Sequence, residues 1–375
     1  MKKKILHINS YYIARSFYFI LFEKLRKLGY DLQVFVFAEK GRNIEHNKLA
    51  DYIDISNDFV KWDRLFFHIK HFKVYKDLKR RERKLQDFSL VHAHSLFSNG
   101  YIAYRLKKDY GIPYIVAVRG TDVTVFFKYM FYLRKIGVDI LYNSSKVIFI
   151  SPAHKKTVFG KYVPEKLRSV IEKKSFVIPN GIDTFWLENK RTNVKNKCRD
   201  TIRLLYVGEI NSNKNLVLTC QAINDLILQG IDITLEVVGK IIEQNGYEEI
   251  MKYTFVKYLG VLQKEQLLDI YNENDIFIMV SKSETFGLVY AEALTQGIPL
   301  IYSKGQGFDG FFDDGFIGYP AVADNKTDIA AVIKRVNNEY EQLAQNCISV
   351  GNRFSWDEIA KIYDDIYMDI TYKKV

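Results

Sequence analysis

At 375 residues the chain is longer than one hydrophobic core usually supports, so two domains sharing a cleft are expected. With 48% hydrophobic and 26% charged residues, 21 Gly and 6 Pro, the composition excludes a disordered, collagen-like or linker-dominated chain. The net charge of +11 is unevenly divided: residues 1–186 carry 35 basic and 17 acidic side chains, a net of +18, while residues 187–375 carry 20 and 27, a net of −7.

Met1-Lys2-Lys3-Lys4 runs straight into a short strand candidate at 4–8 rather than into the apolar region of a signal peptide. No stretch approaches the about 18 uncharged apolar residues of a membrane span, so a cytosolic protein is expected. Further strand candidates follow at 32–37, 90–93, 114–118, 146–150 and 176–178, separated by helical patterns, which is the rhythm of a parallel sheet with crossover helices. Between Lys61 and Lys84 lie ten basic and three acidic residues, interleaved with Trp62, Phe66, Phe67, Phe72 and Tyr75. Such a run suits an anionic membrane surface or a nucleic-acid backbone, or is a solvated helix with one buried aromatic stripe. No nucleic-acid module accompanies it, and Lys79, Arg80, Arg81 and Arg83 are the cations expected to carry any lipid docking.

Residues 188–200 have the polar composition of a linker, and 187–200 is taken as the boundary between a first domain, 1–186, and a second, 201–354. The α/β rhythm restarts there, with strand candidates at 202–207, 233–238, 256–259, 275–280 and 299–302. A helix over 355–372 bears Trp356, Ile359, Ile362, Tyr363 and Ile366 as an apolar stripe, expected to pack back on the first domain. Cys198, Cys220 and Cys347 lack C-x-x-C spacing and suggest neither disulfides nor a zinc site.

Neither half contains a dinucleotide-binding G-x-G-x-x-G or a phosphate-binding G-x-x-x-x-G-K-[ST], which weakens dehydrogenase and ATPase readings. Most chemical content lies in residues 280–299, which read as strand, loop, helix and stop, with Thr285 as N-cap, Gly297 as C-terminal stop and Pro299 opening the next strand. Free amides of Phe286, Gly287 and Leu288 would then hold a phosphate at the positive end of the helix. Glu284 and Glu292 could face one ligand, and carboxylates, being acceptors only, suit sugar or ribose hydroxyls.

In the context S-x-x-E-x-F-G-x-x-x-x-E-A-x-x-x-G-x-P, with the segments 90–94, 177–183, 205–208, 235–239, 258–260 and 354–356, the chain resembles the retaining nucleotide-sugar glycosyltransferases of family four, the glycosyl transferases group one. The resemblance spans nearly the whole chain and implies a GT-B fold, two Rossmann-like domains facing a central cleft. It implies that Glu292 binds ribose hydroxyls, Glu284 contacts the transferred sugar, and the amides at Phe286, Gly287 and Leu288 meet the diphosphate together with Lys214, with Thr285 also on the donor side. Tyr258, Leu259 and Gly260 would lie against the base. Arg119, Asp122, His94 and Ser10 are the residues expected on the acceptor side or in the cleft.

Two positions depart from the family pattern: Glu209 stands where an arginine usually follows the glycine, and Arg119 stands where many members have histidine. Arginine cannot serve as a general base, so Arg119 is expected to bind an anion, and Glu209 to turn away or pair with Arg203 or Lys240. The expectation is a metal-independent hexosyltransferase without a cofactor, since no D-x-D pair is present, using a UDP-sugar in preference to a GDP-sugar and a glycan or lipid-linked glycan acceptor. A bacterial surface-polysaccharide pathway at the inner face of the membrane is the expected setting. The alternative is a non-catalytic partner of the same fold that binds glycan or another transferase.

Overall fold

The computed structural model describes residues 3–14, 17–41, 50–82, 84–195 and 200–372. Cys198, Arg83 and part of the linker expected at 187–200 lie outside them; Cys220 and Cys347 are buried and free. The chain divides into two compact units, the first made of residues 1–150, 154–179 and 356–375, the second of 151–153 and 180–355.

The first unit is built on seven strands: β1 (Lys4–Ile8), β2 (Asp31–Glu39), β3 (Ile53–Phe59), β4 (Leu90–Ala93), β5 (Tyr114–Val118), β6 (Lys146–Phe149) and β7 (Ser175–Val177). All neighbours are parallel, in the order β3-β2-β1-β4-β5-β6-β7. The central strands are near-continuous Val, Ile, Leu and Ala, because helices cover both faces of such a sheet. On one face Phe97, Ile102, Leu106 and Ile140 pack on Val91, Val116 and Phe149. On the other, Leu21, Phe22 and Leu25 of the helix Phe17–Lys27 join Trp356, Ile359, Tyr363 and Tyr367 of the C-terminal helix Trp356–Tyr372 over Ile5, Leu32 and Leu90.

The second unit contains β8 (Ile202–Val207), β9 (Ile233–Val238), β10 (Val256–Tyr258), β11 (Ile276–Met279), β12 (Leu300–Ser303) and β13 (Gly318–Ala321), in the parallel order β10-β9-β8-β11-β12-β13. β3 and β13 escape the sequence reading. Both are edge strands, β3 diluted by Asp54, Asn57 and Asp58 and β13 carrying a glycine and a proline, which a sheet tolerates at its edge.

Three sequence expectations are corrected here. The second unit begins at Asn180, not after residue 186, because Trp186 of the short helix Thr184–Glu188 stands edge-on against Tyr271 and is buried there. The described part of the linker is not free chain: the Arg191 amide donates to the Thr295 carbonyl, and Lys195 holds Asp275 at 3.0 Å. In the basic run, Phe67 and Tyr75 belong to the core, while Arg80 and Arg81 are spent on Asp54, Asp58 and Asp77.

In the second unit the backbone turns after β8 and β9 approach each other closely. Gly239 has φ +144°, and a Cβ there would sit 1.9 Å from the Gly208 carbonyl oxygen. Gly239→Ala is therefore expected to destabilise the protein by about 4 kcal/mol or more, since no side-chain rotation relieves a backbone clash. Gly246→Ala, in the helix Gln244–Ile250 with its nearest neighbour 3.9 Å away, should instead gain about 0.5–1 kcal/mol from helix propensity. Thermal melting of the two variants checks both signs.

Candidate functional site

Strand order fixes where chemistry can gather. In the second sheet the sequence runs outward in both directions from the neighbours β8 and β11, so the connections after these strands leave on opposite faces and open a crevice at their carboxyl ends. The loop after β8 leads through Gly208 and Lys214 to the helix Leu216–Ile227, and the loop after β11 leads through Glu284 to the helix Leu288–Thr295.

The loops are knitted together. Lys282 N–H donates to the Asn213 carbonyl at 2.8 Å, and Asn213 Nδ2 donates to the Ser283 carbonyl at 3.0 Å. Asn215, in a left-handed conformation at φ 59°, sends Nδ2 to the Val280 carbonyl at 3.1 Å and to the Ala323 carbonyl at 2.6 Å. Across this frame Lys214 Nζ lies 2.6 Å from Glu284 Oε2, both side chains largely buried. The other carboxylate oxygen accepts from the Thr285 amide at 2.9 Å, and the Glu284 backbone is held by Gln306 and Gly307. A Cβ on Gly307 would lie 2.9 Å from Glu284 Cγ, so that glycine leaves room for the carboxylate arm.

The helix begins one step later than the sequence suggests. Gly287, not Thr285, is its N-cap, with φ +80°, and any Cβ there would meet Tyr290 at 2.5 Å. Phe286 turns its ring into a cluster with Phe308, Phe311 and Phe354, leaving only its backbone for ligand. The first amides of an α-helix have no intrahelical acceptor, so Leu288 and its neighbours offer donors beside Lys214.

Glu292 lies one and a half turns further, and burial together with the Asp183 carboxylate pushes its carboxyl up to about 7. Asp183 accepts from the Phe185 amide at 2.9 Å and faces Lys264 at 3.2 Å; nothing in its own spacing singles it out as a site residue, and only the fold brings it to Glu292. Tyr258, Leu259 and Gly260 are tied to the turn after β9, with Tyr258 Oη donating to the Gly239 carbonyl at 2.8 Å and the Gly239 amide to the Gly260 carbonyl at 2.7 Å. Glu209 is exposed and takes a hydrogen bond from Asn211 Nδ2 at 3.1 Å, in place of the cations Arg203 or Lys240. A second acid missed by the sequence reading, Glu243, accepts from both the amide and the hydroxyl of Ser212 at 2.9 Å.

The first unit has its own reversal of strand order, between β1 and β4, and Ser10, His94, Arg119 and Asp122 follow its central strands. The Ser10 amide donates to Asn99 Oδ1 at 3.2 Å. Asp122 is wholly buried and accepts from the amides of Leu96 at 2.9 Å, Phe97 at 3.1 Å and Arg119 at 2.8 Å. Burial pushes its carboxyl up to about 6 against those amides, making it an anchor for two loops rather than an open binding group. His94 is likewise interior: its Nε2 is 2.9 Å from His7 Nδ1, and its ring stacks on His92 at 4.0 Å. Burial holds both His92 and His94 well below the ordinary imidazole value, so they are neutral near pH 7. Arg119 Nε donates to the His94 carbonyl at 3.2 Å and its guanidinium lies over Tyr18.

Comparison with known proteins agrees with this architecture. Residues 17–185 match the family model described as Glycosyltransferase Family 4, and residues 188–353 match that described as Glycosyl transferases group 1. An uncharacterized glycosyltransferase of Methanocaldococcus jannaschii is 23% identical over 328 residues, 82% of each chain. The alpha-monoglucosyldiacylglycerol synthase of Acholeplasma laidlawii is 24% identical over 66% of this chain and 67% of its own. The Anabaena protein HepE, solved in complex with UDP-glucose, superposes with a TM-score of 0.68 at 15% identity, covering 98% of this chain and all of that one. The chain belongs to the GT-B glycosyltransferases of family 4 and group 1.

The raised carboxyl of Glu292 would make the binding of any ligand that needs it ionised depend on pH. A carboxyl near 7 is protonated below that value, and a ligand that needs the ionised acceptor competes with the proton. Affinity for an intact nucleotide sugar, whose diphosphate does not titrate in this range, should therefore rise from pH 6 to pH 8, approaching about tenfold per unit on the acid side. Titration calorimetry across that range checks this, and Glu292→Gln should flatten the dependence.

Proposed function

We propose that this glycosyltransferase moves a hexose or N-acetylhexosamine, with retention of anomeric configuration, from a nucleoside diphosphate sugar to a hydroxyl of a glycan or lipid-linked glycan. The observation that carries the reading is the Lys214–Glu284 pair beside the N-terminus of the helix Leu288–Thr295. A cation, a carboxylate and helix amides within one crevice match the three needs of a sugar diphosphate: charge neutralisation, hydroxyl recognition and phosphate seating.

Glu292 would accept from the ribose hydroxyls, and the backbone at Tyr258, Leu259 and Gly260 would meet the base. UDP is the favoured carrier, supported by the UDP-glucose complex of the similar Anabaena protein. The glycosyl C1–O bond to the diphosphate breaks as the acceptor oxygen forms its bond to C1 on the same face. The acceptor proton passes to the departing diphosphate, so no protein nucleophile is required. Lys214 and the amides stabilise the negative charge as it develops, and proximity supplies much of the remaining rate.

No metal is assigned to this step. The diphosphate donors are a lysine and amides, and among the described residues the cluster of metal-ligating side chains is His7, His92 and His94, in the other unit. Arg119, Asp122, His94 and Ser10 are assigned to the acceptor side, Asp122 and His94 through the loops they fix. A bacterial surface-polysaccharide role, with the enzyme peripheral at the inner face of the membrane, suits the excess of positive charge in residues 1–186 and the lipid named for the Acholeplasma relative.

Lys214→Ala should lower turnover by about 10²- to 10³-fold with the fold retained, the scale seen when one preorganised charge stabiliser is removed. Glu284→Gln should depress transfer from intact donor more than affinity for the bare nucleotide. Activity should persist in EDTA. The measurement is nucleotide release from UDP-sugars over a panel of acceptors; release in neither the wild type nor the variants would favour the non-catalytic partner reading.

A further inference from the structure

The first unit exposes large apolar side chains from two separate stretches that meet in the fold. The turn Lys61–Leu65 and the start of the helix Phe67–Arg81 show Trp62, Leu65, Phe66 and Phe72 to solvent, at 75, 66, 59 and 65% exposure. The segment 128–133 shows Phe131 at 72% and Tyr132 at 58%. The stretches are joined underneath, where Phe67 stands edge-on to Phe126, 6.3 Å between ring centres. Side chains of this size scattered singly are ordinary; four of them within residues 62–72, and two more five and six residues beyond the Phe126 that Phe67 touches, make an exposed apolar surface.

The charges within these stretches are mostly basic; Arg64 is paired with Glu39 and Lys135 with Asp139, each at 2.9 Å, so the lysines outside those pairs matter most. Lys61, Lys76 and Lys128 are exposed beside this apolar patch, and the sole acid of residues 61–76, Asp63, is buried and held by Lys73 at 2.8 Å. Residues 125–135 contain Lys128, Arg134 and Lys135 and no acid. Aromatic rings at the level of lipid headgroups, with lysines beside them, are the chemistry of an interfacial contact with anionic lipid. Among the described residues no helix is long and apolar enough to cross a membrane, so attachment through such a patch needs no span.

We propose that this patch is a membrane-docking surface, in which Trp62, Leu65, Phe66, Phe72, Phe131 and Tyr132 enter the interface of an anionic bilayer while Lys61, Lys76 and Lys128 meet its headgroups. The proposal rests on the lipid-linked acceptor reading for its purpose and on the surface alone for its chemistry. It also moves the contact away from Arg80 and Arg81, whose guanidinium groups are engaged by aspartates.

The molecule carries its own probe. Of its three tryptophans, Trp186 and Trp356 are buried and Trp62 is open to solvent. Vesicles of phosphatidylcholine with phosphatidylglycerol should co-sediment the full chain and shift tryptophan emission to the blue, and brominated acyl chains should quench it. Phosphatidylcholine alone should do neither. Binding should weaken with salt as screening shortens the reach of the lysines, and a Trp62→Ser, Phe72→Ser, Phe131→Ser variant should bind about tenfold or more weakly while melting as the wild type does. Sedimentation without a change in tryptophan emission, equal binding to neutral vesicles, or no binding to either overturns the proposal. So does a blue shift that follows protein concentration without lipid, which would assign the patch to a second copy of the chain. None of these readouts uses a sugar nucleotide, so loss of docking and failure of the transferase reading are told apart.

Discussion

The Lys214–Glu284 contact closes the crevice of the second unit at its centre: it links the loops after β8 and β11, 70 residues apart in sequence, at 2.6 Å. Withdrawing two charges from water costs more than a surface pair returns, so the gain of such a pair lies in position rather than in stability. Each partner holds the other in one place, a cation near the start of a helix and a carboxylate beside it, where the proposed donor would need them. A diphosphate that took Lys214 would release Glu284 to accept from sugar hydroxyls, so one displacement would ready both groups. Gln306, Gly307 and the Thr285 amide keep the carboxylate arm in place meanwhile.

That pair depends in turn on a backbone that leaves no slack. Gly208 and Gly239 bring the turns after β8 and β9 into contact, and Tyr258 and Gly260 are tied to the same turn. Gly287 takes a left-handed conformation that starts the helix beside Glu284. At Gly208, Gly239 and Gly287 a side chain would occupy the space of a carbonyl or a ring. The charged groups stand on loops braced by these contacts, which would suit the proposed transfer, in which positioning rather than a protein nucleophile does the work.

Much of this was legible in the sequence because the buried parallel strands are continuous apolar runs with little else competing for the pattern. The strands that escaped, β3 and β13, lie at sheet edges, where half-burial permits aspartates and a proline. Glu284 and Glu292 could be singled out by motif, since their spacing reflects one loop and one helix, and Lys214 by the family resemblance of the loop after β8. Asp183, Glu243 and Gln306 could not, because each reaches the crevice through tertiary packing from a distant element. The N-cap was misplaced for a local reason: threonine is the commoner cap, but Phe286 is drawn into the Phe308, Phe311 and Phe354 cluster, so the chain turns into the helix only at Gly287.

The two units spend their polar residues differently. At the strand ends of the first unit the carboxylate of Asp122 is consumed by three amides, and the imidazoles of His7, His92 and His94 are stacked, buried and neutral. Arg119 supplies a fixed cation there, and its positive charge, together with burial, helps keep His92 and His94 unprotonated. These groups shape loops more than they set a field. The large positive excess of residues 1–186 must therefore reside elsewhere, and much of it lies on the outer helix Phe67–Arg81 and the segments that meet it, where lysines stand among exposed rings. A charge placed on an outer surface, away from strand ends that carry the fold's own contacts, would act in the proposed docking on how the molecule meets a large anionic body and would leave the chemistry of the crevice to the few groups around Lys214 and Glu284.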